Sequence, residues 1–492
     1  MSIYTTCRDF YNIFLKNIEY IHLSVIIFKG ILVLNREIYI YYMNLCKSKL
    51  SFKGAEYMAI DRNETFDVIV VGAGPAGSAA ALRLAEQRVK VLLIERGTAP
   101  GAKNMMGGRI YTHSLERLVP DFRDRAPLER KVTKERISIG TGNEMTTIEY
   151  SYEDGEPNEE SYVVLRAKFD KWLAEEAEKK GALLVSNVQV TELITEGEGK
   201  HRRVIGVRCH DDEVYAKLVV IAEGSNTLLL EQAGLTGPTD PRTMAVGVKE
   251  VYKLKKEDLE NRLMLSGDEG MAWLTLGDMT DGLLGGGFIY TNKDSLSVGM
   301  VVGLEDIGKA TKSVDDMLLA FTNHPRIAPL LKNGQLKEHS AHLVPEGGFK
   351  ALPKLGGNGY VIVGDAARMC MNLGYTIRGM DLAIESGMCA ADAVNVALRD
   401  ENMERVAKLY ERQIKNSWLY KDMKLYKNMP AFLASNPRIF KEYPALVNNV
   451  MRDVFTVNGD GAVPMMKKLM SSVSDVGLVT LIRDAWKGVR SL

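Results

Sequence analysis

The feature that most constrains the fold is a glycine-rich turn between an apolar strand and a helix of small residues. From Phe66 the sequence reads FDVIVVGAGPAGSAAALRLAEQRVKVLLIERG, in which Gly72, Gly74 and Gly77 form GxGxxG directly after the run Val68 to Val71. Gly72 permits a tight turn, Gly74 lets backbone approach a pyrophosphate, and Gly77 allows the helix to pack closely on the strand. The pattern predicts a Rossmann-like unit that binds a dinucleotide.

The next strand of this unit ends in an acid. Glu95 follows the run VLLI, where a carboxylate can accept both ribose hydroxyls of an adenosine. The start of the preceding helix then faces the phosphates. No second strand-GxGxxG-helix unit follows in the sequence, so a separate nicotinamide domain is not expected. The sequence therefore favours FAD over NAD.

Two later segments support FAD, and the more informative one runs from Gly359 to Gly387. Its apolar strand ends at Gly364 and Asp365, which places one carboxylate where it can hold a ribitol hydroxyl. The other segment, LVVIAEGSNT, spans residues 218–227. Asp365 is therefore expected to bind the cofactor.

A helix is predicted to begin at about Met380. Its first N–H groups and positive dipole end would face the N1/O2 edge of a flavin, where negative charge collects on reduction. Gly374 and Gly379 precede this helix and are predicted cofactor contacts. The alternative is that both glycines only turn the chain and that Asp381 only supports the helix start.

Several longer strings resemble one known family. GAGPAG, GAKNMMGGRIYTHSLERLVPDF at 101–122, GDAARMCMNLGYTIRGMDLAI from Gly364 and NPRIFKEYP at 436–444 are similar to FixC-type electron transfer flavoprotein–quinone oxidoreductases. The resemblance implies an α/β fold in which a Rossmann-like FAD-binding domain of the glutathione-reductase-2 type, with a parallel sheet discontinuous in sequence, carries an inserted antiparallel sheet domain. It also implies transfer of electrons from electron transfer flavoprotein subunits to a quinone.

The same resemblance implies further cofactor contacts. Lys103, Gly108 and Arg109 of the second string are expected to contact FAD. So is Arg166, which begins LRAKFDKWLAEEAEKKG, because an arginine at a helix start opposes the dipole and needs an anion nearby. A solvated surface arginine is the alternative for Arg166.

Two positions depart from the family pattern. The usual acid-glycine pair of the middle segment is here Ala222-Glu223-Gly224, with a longer acid, and Arg368 stands where small residues are commoner. Neither departure changes the predicted fold. A cation near a flavin would raise its potential.

We expect the FAD-binding domain to comprise residues 62–135, 163–240 and 336–402, and the sheet domain on the quinone side to comprise 136–162 and 241–335. A helical C-terminal region is predicted over 403–492. Within the sheet domain, Met279 to Gly303 predicts a hairpin that turns at Asn292-Lys293-Asp294. Candidate liners of a quinone pocket, each with a plain core role as the alternative, are Trp273, Leu283, Leu284, Phe288 and Met300.

Charge and cysteine content limit the partners. Lys plus Arg number 63 and Asp plus Glu number 63, so no basic surplus exists for nucleic acid. The five cysteines are far apart and none follows Cys389. The family resemblance includes larger relatives with a ferredoxin-like domain that holds a four-iron cluster, and it implies that such a cluster, if used here, resides on a separate ferredoxin-like protein. His339 and His342 face opposite sides of a predicted strand, so a metal site is not expected.

The cysteine content predicts a cytoplasmic protein whose thiols are reduced. Its Lys- and Met-rich C-terminal helices can contact the inner face of the cytoplasmic membrane peripherally or dock the flavoprotein donor, and a buried tail is equally compatible with them.

Residues 1–57 form a doubtful extension, rich in Ile and Tyr, whose apolar stretches are too short to span a bilayer. A mis-assigned start before Met58 and an interfacial or docking arm are both compatible with it.

Two other functions remain open on the sequence alone. A prenyl-lipid (geranylgeranyl) reductase would share the FAD motifs and an apolar pocket. A non-catalytic electron relay subunit would carry FAD without meeting quinone. The strings GAKNMMGGR and MNLGYTIRGMD favour the quinone-linked enzyme.

Overall fold

A computed structural model describes residues 66–104, 108–152, 160–459, 461, 463–474 and 476–491. The extension 1–57 and residues 105–107 of the GAKNMMGGR string lie outside the described residues. Interpretations of these two segments stay predictions.

The strands are numbered in chain order. They are β1 (Phe66–Val71), β2 (Val91–Ile94), β3 (Gly108–Tyr111), β4 (Leu128–Thr141), β5 (Glu144–Ser151), β6 (Ser161–Val164), β7 (Leu183–Val185), β8 (Glu192–Glu196), β9 (Arg203–Cys209), β10 (Asp212–Ile221), β11 (Met244–Lys253), β12 (Glu269–Gly277), β13 (Gly285–Thr291), β14 (Ser295–Gly303), β15 (Gln335–Pro345), β16 (Gly356–Gly357), β17 (Tyr360–Ile362), β18 (Met371–Asn372) and β19 (Ile377–Arg378).

The helices are numbered in the same way. They are α1 (Pro75–Glu86), α2 (His113–Leu118), α3 (Phe122–Arg125), α4 (Arg166–Lys179), α5 (Leu228–Gln232), α6 (Lys256–Leu263), α7 (Val314–Thr322), α8 (Ala328–Leu331), α9 (Met380–Arg399), α10 (Val406–Asn416), α11 (Trp418–Leu425), α12 (Met429–Ala434), α13 (Glu442–Phe455), α14 (Met465–Ser474) and α15 (Leu478–Val489).

The first sheet has the strand order β16-β17-β10-β1-β2-β7, and β17, β10, β1, β2 and β7 run parallel. The central strands are continuous apolar runs because both faces of a parallel sheet are covered by helices. Ile69 and Val70 of β1, for example, are fully buried. A helix that starts with Pro75 and continues in alanines follows β1, as the sequence predicted. Strands β8 and β9 extend this sheet from β10.

The second sheet has the order β15-β11-β14-β13-β12-β4-β6-β3, with β5 paired to β4. It is antiparallel except where β12 runs parallel to β4. The predicted hairpin is confirmed, since β13 and β14 pair across residues 292–294. Strands β3 and β15 belong to this sheet, although their residues lie in segments assigned above to the FAD-binding domain. The division into domains stays a prediction.

One face of the second sheet packs against helices, and the other faces a cavity. Val248, Ile289 and Met300 lie in an apolar core with residues of α6, α7 and α8. The alternating residues of the opposite face, among them Phe288 and Tyr290, face the main cavity of the protein. The sheet thus separates a packed core from a binding cavity.

The C-terminal region from α10 to α15 is helical, as predicted. Met429, Leu433 and Phe440 pack on Leu373, which lies between the short paired strands β18 and β19. In the described part of the chain, no helix combines the length and the apolar character needed to cross a bilayer. The predicted fold class, an α/β FAD-binding fold with a second sheet and a helical C-terminal region, is confirmed.

Candidate functional site

The main cavity has a volume of about 470 Å³ and lies at the carboxyl ends of β1, β2 and β10. This is the edge at which open parallel sheets bind ligands. The cavity is lined by most of the predicted cofactor residues, namely Gly72, Gly74, Glu95, Lys103, Gly108, Arg109, Arg166, Asp365, Gly379 and Met380. Three predicted residues, Gly77, Gly364 and Gly374, lie outside its described lining.

The end of the cavity beside β1 and β2 matches an adenosine diphosphate. Gly72 adopts a φ of +100°, which favours glycine, and turns the chain into α1. Glu95 lies beside this turn, where its carboxylate accepts hydrogen bonds from Ala73 N at 3.0 Å and Gly97 N at 2.6 Å. These bonds hold Glu95 at the cavity wall.

Arg166 and Asp365 bring opposite charges to the same cavity. Arg166, the first residue of α4, donates to both carboxylate oxygens of Asp170 at 2.8 Å, and Asp170 also accepts from Asn104 at 2.6 Å. Burial opposes the charge of Arg166, but the Asp170 carboxylate outweighs burial and raises the pKa of the guanidinium. Asp170 therefore fixes Arg166 as a permanent cation in the wall.

The Asp365 carboxyl is half-buried in the cavity wall, after the end of β17. Burial raises its pKa against the lowering effect of Arg166, His342 and Arg368. A hydroxyl donor from a ligand would stabilise the charged form of this carboxylate. Its assignment to a ribitol hydroxyl stays a prediction.

The start of α9 also meets the cavity, since Gly379, Met380 and Ala383 line it. Asp381 was considered above as a support for the helix start. Its buried carboxylate accepts a hydrogen bond from Arg378 at 2.6 Å, which is consistent with that role. This ion pair fixes the chain just before the helix. The two roles are compatible, since Asp381 holds the helix whose N-terminal backbone faces the cavity.

Arg109 lines the cavity, but its guanidinium already interacts with other side chains of the protein. Its guanidinium pairs with Glu135, donates to Ser161 Oγ at 2.9 Å and lies 4.4 Å from the ring centroid of Tyr111. Its contact with FAD stays a prediction.

The two departures from the family pattern have structural roles. Glu223 accepts from the backbone N–H groups of Leu229 and Leu230 at 2.9 and 3.1 Å, so the longer acid caps α5. Arg368, at a φ of +59°, donates to Ser225 O at 2.7 Å and to Thr239 Oγ1 at 2.9 Å. Its guanidinium holds the loop that follows β10.

The second sheet contributes an aromatic wall that the sequence identified only in part. Phe288 lines the cavity as expected, together with Tyr290, whose ring centroid lies 5.2 Å from that of Phe288, and Val301. Trp273 and Met300 have the plain core role that was given as their alternative, because both lie in the core on the opposite face. The alternation of β13 alone would have identified Tyr290.

Leu283 and Leu284, two further candidates for the quinone pocket, lie outside the described lining of the main cavity. Leu283 packs against the core cluster of the second sheet, and Leu284 lines a smaller cavity.

The residues of the main cavity fit FAD. A Cβ added at Gly74 would meet no protein atom within 4 Å, which leaves the close approach that a pyrophosphate needs. Glu95 would hold the adenosine ribose, and the start of α9 would face a group that gains negative charge. When bound, FAD supplies the redox chemistry, while the protein sets its position and electrostatic surroundings.

Comparisons with known proteins agree with this geometry. The FAD binding domain family matches residues 65–275, and the ETF-QO/FixC family C-terminal domain matches residues 429–492. Fold, cavity and family match together define an FAD-dependent oxidoreductase.

Curated relatives specify the family. The chain is 47% identical over 430 residues to Protein FixC of Salmonella typhimurium, covering 87% of this chain and 99% of that protein. It is 46% identical to the probable electron transfer flavoprotein-quinone oxidoreductase YdiS of Escherichia coli, covering 87% of this chain and 100% of YdiS. The protein belongs to the FixC and electron transfer flavoprotein–quinone oxidoreductase family.

A solved structure shares the fold. A geranylgeranyl bacteriochlorophyll reductase-like protein from Thermoplasma acidophilum superposes with a TM-score of 0.63 at 23% identity, covering 86% of this chain and 99% of that one. At this identity the likeness concerns the fold alone.

Asp365→Ala is expected to weaken FAD binding without abolishing it. If the carboxylate holds a ribitol hydroxyl, the variant loses a charge-assisted hydrogen bond worth about 1.5 to 3 kcal/mol, which is roughly 10-fold to 150-fold in affinity. Titration of apo-protein with FAD, followed by flavin fluorescence, measures the change. An affinity equal to that of the parent would mean that Asp365 only shapes the turn.

Proposed function

We propose that the protein transfers electrons from an electron transfer flavoprotein to a quinone. The observation that carries this proposal is the continuity of one cavity between the predicted flavin-binding residues and the aromatic wall of Phe288 and Tyr290. A planar, apolar acceptor stacks favourably on such a wall. Burial raises the pKa of Tyr290 to about 12, so its phenol stays neutral and retains its O–H donor at physiological pH. The similarity to YdiS, a probable electron transfer flavoprotein-quinone oxidoreductase, supports the same proposal.

A separate ferredoxin-like protein is proposed as the partner that carries iron–sulfur chemistry. Cys209, Cys370 and Cys389 are buried thiols. Burial raises the pKa of Cys389 to about 12, which opposes the thiolate form that binds iron. The cysteine spacing of the full sequence supports the same assignment.

The assay that tests this function uses the purified flavin-loaded protein, a reduced electron transfer flavoprotein and a soluble naphthoquinone. We expect quinol to form only when all three are present. Two controls accompany it, one with a geranylgeranyl substrate in place of the quinone and one without the flavoprotein. Saturation of the prenyl chain, or no quinol, would contradict the proposal.

We propose in addition that helices α14 and α15 contact a membrane surface peripherally. Asp484 of α15 is buried and accepts from Arg438 at 2.9 Å and from the Tyr443 hydroxyl at 2.7 Å. These bonds outweigh the raising effect of burial and lower the pKa of Asp484 to about 2, so the contact persists at neutral pH. One face of α15 is thereby fixed against the protein.

The opposite face of α15 is apolar and exposed. Val479 is 80% exposed, Ile482 61% and Trp486 64%. These residues lie about half a turn from Asp484, as 100° per residue requires. Arg483 and Lys487 lie on the same helix and Arg490 directly follows it, and such a combination is typical of helices at phospholipid surfaces. Met466 and Met470 of α14 are exposed in the same way.

The double variant Ile482→Asp with Trp486→Asp is expected to bind phospholipid vesicles at least about 10-fold more weakly than the parent, because each side chain loses about 1.5 to 3 kcal/mol of apolar burial. Co-sedimentation with neutral and anionic vesicles measures the binding. Leu319→Asp, at an exposed position of α7, is the matched control. Equal binding of the double variant and the parent would contradict membrane contact, and loss of donor binding instead would assign this face to the flavoprotein.

A further inference from the structure

A second cavity lies where the C-terminal helices meet the second sheet. It has a volume of about 50 Å³, which gives room for about three water molecules. Pro430 and Leu433 of α12 form one side, and Glu346 and Asn372 form another. Nothing in the electron transfer described above uses this cavity.

Glu346 is the buried acid of the second cavity. It follows β15 and is 8% exposed. The backbone N–H groups of Glu346 and Gly347 both donate to Thr243 O, at 2.8 and 3.1 Å, so the position of the residue is fixed. Asn372 lines the same cavity, and its side chain acts to lower the pKa of the carboxyl group. The buried carboxyl oxygen Oε1 has no hydrogen-bond partner among the described residues.

Asn372 of the second cavity pairs in the β18–β19 ladder with Ile377, which lines the main cavity. Its Oδ1 accepts from Gly374 N at 2.8 Å, within the turn between β18 and β19. Cys370, just before β18, and Ile377 of β19 both line the main cavity. Burial raises the pKa of the Cys370 thiol, and the charges of Asp365 and Glu346 raise it further. One pair of strand residues, Asn372 and Ile377, therefore lies between the cavity of Glu346 and the wall of the main cavity.

The other charged groups of the second cavity have their own partners or are exposed. Arg242 pairs with Asp240 at 2.7 Å, and Asp306 accepts from Lys309 at 2.6 Å. Glu305 is exposed at the cavity. Burial raises the pKa of Glu346 to about 7, against the lowering effect of the Asn372 side chain. The carboxyl can thus both gain and lose a proton near neutral pH, as an efficient acid–base group does.

We propose that Glu346 is a proton-transfer residue that carries protons from water in the second cavity to a quinone reduced in the main cavity. The inference rests on the proposed function. Reduction of a quinone to a quinol consumes two electrons, which the enzyme's cofactor supplies, and two protons. For one of these protons, the O–H bond of the Glu346 carboxyl breaks and a new O–H bond forms on a quinone oxygen, through intervening water. The Glu346 carboxylate then regains a proton from bulk solvent through water in the second cavity, and the second proton of the quinol is taken from bulk solvent as well.

The first experiment compares two electron acceptors. Flavin-loaded parent and Glu346→Gln are reduced anaerobically and mixed with a soluble naphthoquinone or with ferricenium, which takes up an electron without a proton. Glutamine keeps the size and the hydrogen-bond acceptor but carries no acidic proton. We expect the variant to reduce the quinone at least about 10-fold more slowly than the parent and to reduce ferricenium at the parental rate.

Glu305→Gln, which removes an exposed carboxylate beside the same cavity, is the matched control and should leave both rates unchanged. Parental quinone rates in Glu346→Gln would overturn the proposal. So would equal slowing with both acceptors, which indicates a structural role. A parent that reduces ferricenium but not quinone would overturn the proposed function, and this proposal with it.

The second experiment observes the proton directly. Infrared spectra of the oxidised parent, recorded against pH, should show the C=O band of a protonated carboxyl group that disappears with a midpoint near pH 7. The band should be missing from Glu346→Gln and present in Glu305→Gln. A spectrum in which the parent and Glu346→Gln do not differ would overturn the proposal without reference to activity.

Discussion

Replacement of Gly74 by valine is expected to give a folded protein that retains no FAD. Gly74 has an extended backbone, with φ of −75° and ψ of −176°, which any residue adopts. A Cβ added there would meet no protein atom within 4 Å, so the branched side chain enters the main cavity. It would occupy the space where backbone must approach the pyrophosphate, and we expect at least about a 100-fold loss of affinity, roughly 2.7 kcal/mol.

The ratio of flavin to protein absorbance after desalting measures this loss, and circular dichroism of the apo-protein checks the fold. Gly74→Ala is the graded control, because a single methyl group should weaken binding less than valine does. A parental flavin content in Gly74→Val would show that the pyrophosphate does not approach this turn. A lower melting temperature of the apo-protein would mean instead that Gly74 has a packing role.

The parallel sheet was predictable because its signal is local. The run from Val68 to Val71, the glycines that follow it and the acid Glu95 fall within one short segment, and each part requires the others physically. The start of α9 at Met380 was also predictable, because Gly379 interrupts the chain just before a long run with helical periodicity. Local chemistry was sufficient for these elements.

The second sheet was less predictable because its pairing is not local. Strand β3 pairs with β6, about fifty residues later, and β15 pairs with β11, about ninety residues earlier. Nothing in either segment specifies its partner. The same limit explains why the sequence left both a cavity role and a core role open for Met300, since its face follows from its pairing with Gly287 and not from its own hydrophobicity.

Glu346 had no motif that identifies it. In the sequence it is one acid after a strand and before two glycines, a typical turn composition. Its burial arises from contacts with segments distant in sequence, around Thr243, Asn372 and Pro430. A titratable group that is buried in this way becomes apparent only in the folded chain.

Replacement of Gly77 by alanine is expected to destabilise the protein itself, in contrast to Gly74→Val. A Cβ at Gly77 would lie 1.9 Å from the carbonyl oxygen of Gly72 and 3.2 Å from the Cβ of Ala222. In most helices, exchanging glycine for alanine stabilises by roughly 0.5 to 1 kcal/mol. Here the overlap with backbone outweighs this gain, and we expect the free energy of unfolding to fall by about 3 kcal/mol or more.

The two variants therefore separate two functions of one motif. Gly77→Ala must push α1 away from the turn after β1, so it should lower the melting temperature of the apo-protein and, because Gly72 shifts with that turn, also reduce flavin retention. Gly74→Val should leave the apo-protein as stable as the apo-parent. Thermal unfolding of the three apo-proteins, followed by circular dichroism, distinguishes the cases. A parental melting temperature in Gly77→Ala would contradict this prediction. It would show that the helix α1 leaves room for a Cβ between Gly77 and the Gly72 carbonyl oxygen.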